Sequence, residues 1–127
     1  RHAPVQMTLV RGNHDLHAGD PPPSLHIALV DEPWQPLPGA DVLACHHPQT
    51  VPGATVLAGH WHPTVTLRGL ARDSVRASCF ALNAGLLVLP AFGAFTGGST
   101  QPLPPATRRF PVLAGQVREL FSSAIAR

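Results

Sequence analysis

Gly12-Asn13-His14-Asp15 is the stretch whose reading decides the rest of the chain. It follows Val5-Gln6-Met7-Thr8-Leu9-Val10, whose start alternates and whose end is rich in strand formers, so this run reads as a buried β-strand. A strand that empties into Gly, Asn, His and Asp delivers polar side chains to a sheet rim, where open α/β sheets bind ligands. Asn offers a neutral oxygen to a cation and His offers a titratable nitrogen. Asp can fix the imidazole by bonding its other nitrogen. Gly12 lets the backbone turn tightly. Taken alone, these four residues are more simply read as a polar turn without chemistry.

Two more strands end in the same way. Asp41-Val42-Leu43-Ala44-Cys45 runs into His46-His47-Pro48, and Ala54-Thr55-Val56-Leu57-Ala58 runs into Gly59-His60-Trp61-His62-Pro63. All eight histidines lie between His2 and His62. On an extended segment, side chains two apart share a face, so His60 and His62 can approach one small site. Imidazole is the commonest side-chain metal ligand. A mixed N/O set suits Mn, Fe, Zn, Co or Ni. A structural zinc site would favour close cysteine pairs, which this chain lacks.

Composition bounds the answer. The 127 residues make one domain at most, with 44% apolar and only 13% charged residues. Fifteen prolines and eleven glycines disfavour long helices and favour short strands joined by turns. A net charge of +2, carried by arginines spread along the chain, does not by itself imply a nucleic-acid surface. Cys45 and Cys79 sit in apolar runs and read as buried thiols of a reducing, cytoplasmic protein. No apolar run approaches the ~20 residues of a membrane span. The chain opens without Met and almost directly on a strand, and so reads as a fragment of something longer.

Further strands are expected at 25–30, 65–68, 75–82 and 86–89, with a hairpin over 110–113 and 117–120 and a short helix at 121–127. Pro21-Pro22-Pro23 argues against a helix there. Trp34 is expected to pack over the sheet, and 101–107 to be irregular.

Gly12-Asn13-His14-Asp15, then His46-His47-Pro48, then Gly59-His60-Trp61-His62 resembles, in order, the last three motifs of the calcineurin-like metallophosphoesterases. Leu89-Pro90-Ala91-Phe92-Gly93-Ala94-Phe95-Thr96-Gly97-Gly98 is similar to the bacterial ligase-associated DNA damage response phosphodiesterase or endonuclease subfamily. The resemblance covers roughly residues 5–100. It implies an α/β fold, a layered β-sandwich flanked by helices, of which residues 1–127 form a single, partial, strand-rich C-terminal portion.

It also implies two divalent ions, Mn foremost with Zn, Fe, Ni or Co as alternatives, and attack of a metal-bound hydroxide on a phosphodiester. Carried over, Asn13, His46 and His60 would ligate one ion and His62 the other. His14 would contact the scissile phosphate, and Asp15 would orient His14. Of the pair His46-His47, the first matches the ligand, and strand alternation would send His47 to the opposite face. Phe92 and Phe95 would shape the substrate mouth or belong to the core. DNA would be the substrate and DNA ligase and helicase the repair partners, with homo-oligomers allowed and no membrane involved.

The family's opening motifs, Asp-x-His and Gly-Asp-x-x-Asp, are missing. Asp15-Leu16-His17 has the first spacing, but its Asp belongs to the Asn-His-Asp stretch, and Gly19-Asp20 runs into prolines. The isolated chain is therefore expected to be inactive and to leave an apolar sheet face uncovered. Two other readings stay open: a non-catalytic metal- or partner-binding fragment, and a phosphomonoesterase or nucleotidase of the same superfamily.

Overall fold

The computed structural model describes residues 5–13, 18–69, 73–93, 96–99 and 101–121. It is rich in strands, with almost no helix among the described residues. β1 (Met7–Val10) and β2 (Ile27–Val30) pair in parallel, Met7 opposite Ile27 and Val10 opposite Val30. The remaining strands are β3 (Val42–Cys45), β4 (Thr55–Ala58), β5 (Thr64–Arg68), β6 (Ser74–Asn83), β7 (Leu86–Val88), β8 (Arg108–Leu113) and β9 (Gln116–Val117). They form one mixed sheet in the order β3-β4-β7-β6-β8-β9, with β5 paired to the first half of β6.

β3, β4 and β7 are parallel neighbours. A parallel connection ordinarily takes about a dozen residues, often a helix. Here residues 46–54 suffice, because strands this short rise only ~13 Å over four residues. The consequence matters for function. Cys45 and Ala58 stand side by side in register, so the residues that follow them leave the sheet at the same rim.

Alternation selects the buried face. Cys45, Val56, Ala58, Ala81, Leu86 and Val88 form the main core, with Leu43, Val51, Trp61 and Leu103 packed on it. Val65, Ala77 and Cys79 make a second cluster. Both cysteines are buried and unpaired, and burial pushes both thiols up. The other face is different. Ala44, Leu57, Leu87 and Leu82 form a continuous cross-strand row that stays only half-buried. Parallel sheets ordinarily bury both faces, which is why both faces of β4 and β7 carry apolar residues.

Several elements depart from the sequence reading. A single 3-10 turn forms at Pro23–Leu25 despite the proline run. Pro23 occupies the first helical position, where no N–H is required. Trp34 exchanges backbone hydrogen bonds with Ala44 at 2.9 and 2.7 Å, so it extends the edge of β3 as well as lying near it. Residues 101–107 are irregular, as expected. The expected helix at 121–127 falls almost wholly outside the described residues.

Both tight hairpins use alanine where the turn demands positive φ. Ala84 and Gly85 connect β6 to β7 with φ of 44° and 80°, and Ala114 and Gly115 connect β8 to β9 with 48° and 74°. Two-residue turns with positive φ at both positions favour Asn-Gly, because a Cβ in this region costs about 1 kcal/mol that Asn partly recovers. Ala84→Asn and Ala114→Asn should each stabilise the chain by up to ~1 kcal/mol. Urea denaturation with an unchanged slope checks this; a lower midpoint would mean that these turns do not form.

Candidate metal centre

Three strand ends build the site. The segment after β1 carries Gly12 and Asn13, the bend after β3 carries His46 and His47, and the turn after β4 carries His60. His46 Nε2 lies 2.7 Å from Asn13 Oδ1 and 3.0 Å from His60 Nδ1. A single His46 Nε2–H would have to be shared between the two partners. Neighbouring ligands of one ion, each bonded at ~2.1 Å and at right angles, stand about 3.0 Å apart. Each of the two pairs thus has the spacing and the N/O chemistry of neighbouring ligands to one divalent ion, with His46 Nε2 common to both.

The turn at His60 is a strained device. Trp61 N–H donates to Gly59 O at 2.7 Å across His60, whose φ is +63°. This is the rare γ-turn, which few residues other than glycine adopt without cost. Two anchors hold it there. Trp61 packs against the main core. Further on, Ser99 N–H donates to His62 O at 2.8 Å and Thr64 N–H donates to Ser99 O at 3.0 Å.

Gly12 has a different role from the one its sequence context suggests. It is not among the glycines with positive φ, so no special backbone turn requires it. A Cβ there would lie 2.2–2.4 Å from three atoms of the His46 ring. Gly12 is required because the imidazole lies directly against the backbone.

The expectation that His47 points to the opposite face fails. β3 ends at Cys45, so strand alternation does not extend to the bend that follows. The His47 ring lies 4.7 Å from the His46 ring and 4.8 Å from the His60 ring, centroid to centroid. It is held by Glu32, whose Oε1 is 2.6 Å from His47 Nδ1 and whose Oε2 accepts the His47 backbone N–H at 2.8 Å. Burial pushes the Glu32 carboxyl up, but the hydrogen bonds from the His47 ring and from the backbone of His47 and His46 outweigh it and hold it below its usual range. Sequence reasoning missed Glu32. The available signal was that the second strand also ends at Val30 in an acidic pair, Asp31-Glu32.

His60 and His62 both sit at positive φ, 63° and 46°, so the extended segment expected to put them on one face does not form; His62 lines a cavity of about 260 Å³ with His60, Trp61 and Thr96 and lies outside the group made by His46, His47 and His60. His14 and Asp15 lie outside the described residues. Arg11 is taken up by Asp20 at 2.9 Å and Asp31 at 3.3 Å, an exposed ion pair in which the Arg11 guanidinium holds the Asp20 carboxyl below its usual range. Arg76 donates to Thr64 Oγ1 and to Gly98 O, so it braces the loop after β7. Phe92 is fully exposed and contributes nothing to the core; Phe95 lies outside the described residues. A cavity of about 420 Å³ lined by Arg76, Ser78 and Phe92 shares Gly98 with the His60–His62 cavity.

No family model and no curated protein matches the sequence. The fold does have a solved relative. The chain is similar to a nuclease. The crystal structure of the nuclease MPE of Pseudomonas putida aligns with a TM-score of 0.70 and 41% identity, covering 91% of this chain and 54% of that one. The chain thus spans about half the length of that nuclease. No helix among the described residues is long and apolar enough to cross a membrane.

Proposed function

We propose that this chain belongs to a metal-dependent hydrolase of phosphodiester bonds in nucleic acid, of the metallophosphoesterase type. The observation that carries the reading is the approach of Asn13 Oδ1, His46 Nε2 and His60 Nδ1 to within 2.7 and 3.0 Å at one sheet rim. Similarity to a nuclease supports the substrate class. Asn13, His46 and His60 would hold one divalent ion, Mn foremost, and His62 would contribute to a second. Ions bound there would supply Lewis acidity and a water of lowered pKa. His14 would contact the scissile phosphate, with Asp15 orienting its ring. The adjoining cavity past Gly98 offers a nucleic-acid strand the Arg76 guanidinium and the exposed Phe92 ring.

The experiment is hydrolysis of plasmid DNA and of bis-p-nitrophenyl phosphate in Mn²⁺. The longest reading frame containing these residues is compared with the 127-residue chain. The longer protein should turn over, lose activity to chelator, and lose it in His60→Ala. The 127-residue chain should turn over slowly, because it contributes three ligands to one ion and only His62 to the other. Hydrolysis that survives both the chelator and His60→Ala would overturn the reading.

A further inference from the structure

We infer that His47, oriented by Glu32, is a further nitrogen ligand of the ion held by Asn13, His46 and His60. The inference rests on the metal centre proposed above and gives that centre a fourth protein ligand. The first observation is position. One ligand atom from each of His46, His47 and His60 lies within 4.8 Å of the others. Opposite ligands of a single ion stand about 4.2 Å apart, twice a bond of ~2.1 Å. The His47 side chain is 48% exposed, so packing does not wall its ring off from the group.

The second observation is the partner of His47. A metal-bound imidazole typically donates its other ring N–H to a carboxylate, which fixes both tautomer and ring orientation. Glu32 Oε1 is the acceptor here, 2.6 Å from His47 Nδ1, so in the neutral ring the lone pair resides on Nε2. The same carboxylate also accepts the His47 backbone N–H at 2.8 Å, so its two oxygens fix both the ring and the peptide that carries it.

The third observation is how Glu32 is placed. The chain leaving β2 is pinned to β3 by the reciprocal Trp34–Ala44 hydrogen bonds, which bring residue 32 beside residue 47. The carboxylate is therefore held by the sheet and does not depend on a flexible loop.

The test is titration of the metal-free 127-residue chain with Co²⁺ and Zn²⁺, by calorimetry and by the visible absorption of the Co²⁺ form. His47→Gln should weaken binding ~10–100-fold and change the Co²⁺ spectrum, since even partners outside the ligand set cost that much. Glu32→Gln should weaken it ~10-fold. The double variant should be no weaker than His47→Gln alone, because Glu32 acts through His47. Circular dichroism matched to the parent shows that the variants are folded. Affinities within twofold of the parent and an unaltered Co²⁺ spectrum would overturn the inference and leave the three-ligand centre standing. Metal binding that survives His46→Ala would instead refute the centre itself.

Discussion

Gly12→Ala should strip the metal from the chain without unfolding it. Alanine's Cβ would sit 2.2–2.4 Å from Nδ1, Cε1 and Cγ of His46, where ordinary contact is about 3.5–4 Å. The backbone at residue 12 does not need glycine's conformational range, so the ring must give way instead of the strand. A displacement of about 1 Å is several times the ~0.2 Å tolerance of a metal–ligand distance. Affinity should fall at least ~10–100-fold, the range seen when a ligand loses only its orienting partner. Calorimetric titration with Mn²⁺ and Zn²⁺ measures the loss, and thermal unfolding of the metal-free protein tests the fold. A variant that binds as tightly as the parent would show that His46 does not occupy this position when it ligates.

His60→Gly should move affinity and stability in opposite directions. His60 holds φ at +63°, which costs a residue with a Cβ about 1–2 kcal/mol. Glycine takes this conformation freely. The metal-free variant should therefore be more stable than the parent by ~1 kcal/mol, a rise of a few degrees in melting temperature. The same change removes Nδ1 from its place 3.0 Å from His46 Nε2. Metal affinity should fall by more than the ~100-fold that loss of an outer partner can cost. Stability that rises while binding collapses is the signature of strain held for a ligand. If His60→Gly were less stable and bound metal unchanged, the turn would be serving the fold alone.

The sequence by itself determined the strands and the residue types at their ends. Apolar runs closing on Gly-Asn-His-Asp, His-His-Pro and Gly-His-Trp-His locate β1, β3 and β4 to within about two residues, because a short apolar run bounded by turn residues is a local signal of a buried strand. The same pattern puts Asn13, His46 and His60 at strand ends. Parallel pairing of β3 with β4 then brings His46 and His60 to one rim.

What only the tertiary structure decided are matters of contact between distant segments. His47 lies beside His46 and His60 because strand geometry stops at Cys45, and no periodicity extends through a bend. Glu32 matters through an approach to His47 across fifteen residues, set by the Trp34–Ala44 pairing at the edge of β3. Gly12 is dictated by a ring thirty-four residues away, not by its own φ. The strain at His60 follows from anchors on either side of the turn, Trp61 in the core and Ser99 on the neighbouring loop. Local pattern reports which face a residue takes within its own element; which partner it meets depends on how the elements pack.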